Sequence, residues 1–292
     1  MTMSENSEKL NIQWYPGHMT RTRRQMAESL KLVDAVVEVV DARIPRSSRN
    51  PDIDGLVGGK PRVLLLNKAD YADQAATKRW IGYFAARGIK AISCDCRSGS
   101  GLGGFPAAVR AVLADQIKRW ESRGMSGRHI KLLVAGIPNV GKSSFINRMS
   151  KTGKARVADR PGVTRGNQWF TISGGIELLD TPGVLWPKFD DPLAGLHLAV
   201  TGAIKDAVMD TETLAAELIK LLIPRCPGVL AQRYKLEDDD LSVGAAQLLA
   251  LIASNRGMLV SGGQPDTERA AVMLLDEFRG GKLGRITLEE VD

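Results

Sequence analysis

Two loop motifs constrain this chain more than anything else in it, and they stand in an unexpected order. Residues 63–74, VLLLNKADYADQ, read as a strand running into N-K-x-D, and residues 132–145, LLVAGIPNVGKSSF, as a strand running into G-x-x-x-x-G-K-[ST]. A chain carrying both must bring two strand ends to one place, which restricts it to a parallel α/β sheet. The phosphate-type loop ordinarily opens such a domain; here it comes second.

Gly136, Gly141, Lys142 and Ser143 match the phosphate-binding pattern, between a strand-like run and the helix-like SSFINRMS. Glycines let backbone N–H groups curl around phosphates, Lys142 reaches the outer ones and the Ser143 hydroxyl can ligate Mg²⁺. Val140 and Ser144 belong to the same nucleotide-contacting turn. Asn67, Lys68 and Asp70 form the N-K-x-D. A carboxylate at position 70 can accept from N1–H and the exocyclic amine of guanine, whereas adenine offers neither donor and leaves the acid unpaired. The expected ligands are therefore GTP and GDP. Asp180 ends the apolar run IELLD and opens DTPG, where an acid fits a water-mediated Mg²⁺ contact and the Gly183 amide fits a γ-phosphate sensor. Thr164, in RPGVTRG, is the candidate to close over Mg²⁺; the alternative is a surface turn threonine.

Breaking a domain at one surface loop and joining its old ends reorders the sequence while keeping the site. The expected fold is accordingly a circularly permuted P-loop GTPase domain, a doubly wound, mostly parallel α/β sheet with the guanine-loop strand beside the P-loop strand. AVVEVVDA, RVLLLNKAD, KAISCD, HIKLLVAG, WFTISGG and IELLDTPG supply the strands. TKRWIGYFAARG, stopped by Gly88, and FPAAVRAVLADQIKRW have helical spacing. Beyond about Asp191 the strand signals stop, and LAGLHLAVTGAIKD, TETLAAELIKLLI, VGAAQLLALIASNRG and TERAAVMLLDEFRGG read as helices. This gives a GTPase domain over 11–190 and a small all-helical RNA- or ribosome-binding domain over 191–292.

Composition excludes several classes. With 43% hydrophobic and 25% charged residues the chain is globular in type, and no apolar run nears the roughly 20 residues of a membrane helix. The N-terminal MTMSENSEKLN lacks a signal-peptide core, so a cytoplasmic protein with no membrane partner is expected. Cys94, Cys96 and Cys226 are too few and too irregularly spaced for a disulfide framework or zinc site. The net charge of +7 gathers in two stretches, one with Arg21, Arg23, Arg24 and Lys31, the other IKRWESRGMSGRHIK. Either suits a polyanionic partner or a solvated surface.

QWYPGHM, DARIPRSSRNP, LLNKAD, GIPNVGKSS, PGVTRGNQW, LLDTPGVLWPKF and AVTGAIKD, in this order, closely resemble the YlqF or RbgA family of ribosome-biogenesis GTPases. That resemblance implies a monomeric factor in late maturation of the large ribosomal subunit, binding its precursor and rRNA and coupling GTP hydrolysis to release. It also points to His18, in YPGHM, as the catalytic histidine beside Lys142 and Thr164; a turn or RNA-contacting histidine is the alternative. Where many signalling GTPases place a water-orienting glutamine after DTPG, this chain has Val184, which cannot hydrogen-bond water. Asn139 is the residue type that cation-dependent GTPases use to hold K⁺, unless it merely tolerates the turn. One departure from the family lies in SCDCRSGSG, where Cys96 and Arg97 replace a small residue and a lysine behind the base. A GTP-regulated RNA-binding scaffold with little turnover is the rival; a P-loop kinase would leave N-K-x-D and DTPG without a purpose.

Overall fold

The structure is a computed structural model that describes residues 24, 26–150, 168–180, 191–204 and 210–291. Among these, 24–180 together with 289–291 form one compact unit, and 191–288 form the other.

The first unit is built on a six-stranded sheet: β1 (Ala35–Asp41), β2 (Arg62–Asn67), β3 (Lys90–Ser93), β4 (Ile130–Ala135), β5 (Gln168–Ile172) and β6 (Ile176–Asp180), in the order β3-β2-β1-β4-β6-β5. Every pairing is parallel except β5 with β6. Those two form a hairpin whose Gly174 and Gly175 take φ of 82° and 69°, values that penalise any Cβ. The permutation is visible in the order. β1, β2 and β3 fill one half of the sheet, and β4, carrying the phosphate-type loop, starts the other half only afterwards.

Runs of branched apolar residues make these strands because both faces are covered; all seven residues of β1 are buried. On one face Val36, Leu133 and Leu179 pack with Met26, Leu30, Ile53 and Val57, while Val40, Leu64 and Leu66 pack with Trp80 and Phe84 of helix Gln74–Ala85. Between the two apolar patches lies a buried ion cluster. Glu38 receives Arg49 Nε at 2.9 Å and Arg62 Nη1 at 3.1 Å, and both arginines also reach Asp54. Such a cluster adds little stability over an apolar core, but removing one partner strands a buried charge. The opposite face carries helices Phe105–Val112 and Lys142–Met149, whose Phe105 and Phe145 rings meet edge to face at 5.1 Å.

Helix Gln74–Ala85 starts at Asp73, whose side chain accepts from Ala76 N, and closes through Gly88 at φ 71°, as its sequence predicts. FPAAVRAVLADQIKRW differs from its expectation as one helix. The chain breaks at buried Leu113 (φ −105°, ψ 8°), and the second piece, Ala114–Glu121, buries no residue. The short helices Ile53–Val57 and Pro227–Tyr234 have no counterpart in the sequence reading.

In the second unit, helices Pro192–Val200, Thr211–Leu222, Pro227–Tyr234, Ala245–Asn255 and Thr267–Arg279 bury Leu218, Leu222, Leu248, Ile252, Leu274 and Phe278. Three of them start at an aspartate cap, Asp191, Asp210 or Asp266. The last residues depart from a boundary at 292. Glu289 belongs with the sheet unit, its carboxylate accepting from Arg46 N at 2.6 Å and Ser47 N at 2.9 Å, while Trp80 Nε1 donates to its carbonyl. Among the described residues no helix is long and apolar enough to cross a membrane.

Candidate guanine nucleotide site

Both motif loops emerge at the C-terminal ends of parallel strands, the edge where open α/β sheets place their ligands. After β4 the backbone turns at Gly136, with φ 146°; a Cβ there would lie 2.5 Å from Val39 O. Asn139 takes φ 60°, a left-handed conformation that asparagine tolerates. Gly141 takes φ 102°, and a Cβ on it would overlap Asn67 Nδ2. Helix Lys142–Met149 then begins, so Ser143 and Ser144 stand in its first turn and their amides point out of its N-terminus. Lys142 is buried and donates from Nζ to Ile137 O at 2.7 Å. Burial pulls its pKa down to about 8, against the opposing pull of Asp180. Asp180 ends β6 opposite Val134 of β4, which brings its buried carboxylate to the same sheet edge.

The guanine-type loop does not sit on the neighbouring strand. β1 lies between β2 and β4, which corrects the expectation that the two motif strands are adjacent. Asn67 spans the distance. Its Nδ2 donates to Val140 O at 2.7 Å and its Oδ1 accepts from Cys96 N at 2.9 Å. One buried amide therefore ties the phosphate-type loop, the N-K-x-D loop and the loop after β3 together. Asn67 thus shapes the site through the loops that its amide holds.

Lys68 takes φ 60° and places Nζ 2.9 Å from Asp41 Oδ2. Asp41 ends β1 and is gripped by buried Arg43, with Nη2 to Oδ2 at 2.7 Å and both N and Nε to Oδ1 at 3.0 Å. Burial pushes the Asp41 carboxyl up, but Arg43 and Lys68 outweigh it and hold it well below the usual carboxylate range. Sequence reading missed this pair as part of the site. The available signal was an acid ending a buried parallel strand at the same edge as the two motifs.

Asp70 completes the loop. Its Oδ1 is buried and receives no hydrogen bond from another described residue. Desolvation and the nearby Asp95 carboxylate raise its pKa, with its own backbone amide, Arg97 and Arg43 pulling the other way. A buried acceptor oxygen with no donor from another described residue, in line with a glycine-walled cradle at a helix N-terminus, fits a guanine nucleotide with its base at Asp70 and its phosphates over Lys142. Cys94 and Cys96 are buried free thiols. His18, Thr164, Gly183 and Val184 lie outside the described residues.

Comparison with known proteins agrees with this geometry. A family model described as a 50S ribosome-binding GTPase matches residues 131–257, beginning at β4 and leaving N-K-x-D upstream of the match. A Bacillus cereus protein named ribosome biogenesis GTPase A is 45% identical over 278 residues, 95% of this chain and 93% of that protein. One of the same name from Priestia megaterium is 43% identical over 96% of this chain and 97% of its own length. Among solved structures, GNP-bound YlqF from Thermotoga maritima superposes with a TM-score of 0.63 at 27% identity, covering 92% of this chain and 98% of that one. The chain belongs to the ribosome biogenesis GTPase A family, with the circularly permuted GTPase fold.

Proposed function

We propose that this protein is a cytoplasmic GTPase that assembles the large ribosomal subunit, its nucleotide state controlling docking on and release from the precursor particle. The observation that carries the nucleotide half of this reading is the Asn67 brace, which joins a phosphate cradle to a loop offering a buried carboxylate oxygen. Support for the particle half comes from the relatives' names and from exposed basic residues, Lys118, Arg119, Arg123 and Arg128, on and after helix Ala114–Glu121. RNA phosphates attract such residues in a salt-dependent manner.

In this reading Asp70 accepts from guanine, and Lys68 stays extended along the site because Asp41 holds its end. Val140, Gly141, Ser143 and Ser144 surround the phosphates, and the Gly183 amide senses the last of them. Ser143, Thr164 and Asp180 would hold Mg²⁺, and Asn139 would hold K⁺. When bound, these cations neutralise charge developing on the transferring phosphoryl group. Lys142 adds its own cation at the outer phosphates. His18 is the catalytic group that orients the attacking water, since Val184 cannot. Arg21, Arg23 and Arg24 follow it in sequence, so RNA phosphates that bind these arginines would also bring His18 into place. The helical unit supplies the remaining contact to the ribosome, and the chain acts as a monomer.

The test is GTP turnover measured against the concentration of large-subunit precursor particles. Turnover should rise with particles, and several-fold more in KCl than in NaCl at equal ionic strength. Equal rates in the two salts would remove K⁺ from the site. His18→Ala should still bind GTP and particles but lose most of the stimulation, as expected of a contact made in the transition state. An unchanged maximal rate would leave His18 without a catalytic role, and tight RNA binding without turnover above background would favour the scaffold reading.

A further inference from the structure

The loop after β3 carries Arg97, and its surroundings give that arginine a purpose. Arg97 Nη2 donates to the Tyr71 hydroxyl and lies 3.8 Å from Asp70 Oδ2, and its guanidinium lies over the Tyr71 ring, 5.3 Å from its centroid. The same ring is approached by Arg43, 5.9 Å from the centroid, and Arg43 is in turn fixed by Asp41. Arg97 is also held by its backbone, since its N–H donates to Asp95 Oδ1 at 2.8 Å. Although its side chain is 70% exposed, it is therefore tethered at both ends. The consequence falls on Asp70. Its Oδ2 faces a cation, while Oδ1, buried and without a donor from another described residue, is left for a ligand.

We propose that Arg97 is a positioning residue for guanine recognition, orienting the Asp70 carboxylate through Oδ2 so that Oδ1 is presented, ionised, to the base. This rests on the reading of Asp70 as the guanine acceptor. Guanine offers two donors, N1–H and the exocyclic amine, and only an ionised carboxylate accepts both without exposing its own proton to one of them. The charged groups that act on Asp70 are Asp95 and Arg97 from the loop after β3 and Arg43 from just past the end of β1, where Arg43 is itself paired with Asp41. Burial and Asp95 favour the protonated form, whereas Arg97 and Arg43 favour the carboxylate. Removing Arg97 leaves Asp70 without its nearest exposed cation, so guanine binding becomes harder to sustain as pH falls.

The experiment is nucleotide titration of the full chain from pH 5 to pH 8, comparing the parent with R97A, R97K, D70N and the D70N/R97A pair. R97A should weaken GTP and GDP alike, about threefold at pH 8 with the loss growing as pH falls, and R97K should keep most of the affinity. On the D70N background, R97A should leave binding of xanthosine triphosphate within about twofold, because the group it positions can no longer be ionised. An R97A loss that is the same at every pH, or equally large in both backgrounds, would overturn the proposal and make Arg97 a general surface attraction for phosphate. A D70N protein that still prefers GTP would instead overturn the Asp70 reading itself, and the proposal with it. Thermal midpoints matched to the parent confirm that each variant is folded.

Discussion

Asp70→Asn is expected to lose on the order of 10²–10³ in GTP affinity and to gain xanthosine triphosphate as a ligand. The buried Oδ1 is the reason. An acceptor that meets two guanine donors becomes, on one side, an amide that donates, and a donor facing the guanine amine leaves both groups unpaired. Xanthine carries a carbonyl at that position, so the same amide then finds an acceptor. The change leaves Asn67, Asp41 and Arg43 in place, so the fold should be spared and the thermal midpoint without nucleotide should stay near that of the parent. Competition of a fluorescent GTP analogue by GTP, ATP and xanthosine triphosphate reads the switch directly. Retained GTP affinity with no gain for the xanthine nucleotide would remove Asp70 from base recognition.

The two loops were legible in the sequence because each is specified locally. A glycine whose Cβ would meet Val39 O must be glycine, and a lysine at a helix start after a buried strand leaves few other readings. The strands were legible for a similar reason, since runs such as VLLL or LLVA have no other place to be buried. What the sequence concealed depends on which strand lies beside which. Asn67 reads from its motif as a residue that touches the ligand, and only the order β2-β1-β4 reveals that its amide also reaches across β1 to Val140. Asp41 and Arg43 form a pair two residues apart, yet their importance comes from Lys68, which parallel pairing of β1 with β2 delivers to them. Glu289 is further still, lying 243 residues from the Arg46 amide that it caps. Periodicity could not separate helix Phe105–Val112 from Ala114–Glu121, because the apolar spacing continues through Leu113 while the backbone turns there.

Asn67→Asp is the substitution that should do the most damage, and for a different reason from Asp70→Asn. It changes one nitrogen to oxygen without altering shape, yet Asn67 is 3% exposed and that nitrogen is the donor to Val140 O at 2.7 Å. In the variant a carboxylate oxygen faces a carbonyl oxygen in a place where water has little access. The other oxygen can still accept from Cys96 N, so half of the brace survives and half repels. Leaving a buried charge uncompensated costs about 3–5 kcal/mol. For a unit of this size that is roughly a 6–20 °C lower thermal midpoint without nucleotide. The affinity effect follows from the repulsion. Val140 and Gly141 form the end of the phosphate cradle, Gly141 lies against the same Asn67 nitrogen, and a shift there moves the amides that lead into Lys142. GTP and GDP should both weaken by on the order of 10² or more, with no compensating gain for xanthosine triphosphate, because the base-reading carboxylate is intact and the scaffold beneath it is not. Calorimetric titration with GDP, alongside melting curves of the parent, Asn67→Asp and Asp70→Asn, separates the two roles. An Asn67→Asp protein that binds GDP within about threefold of the parent would show that the phosphate loop keeps its shape without the brace.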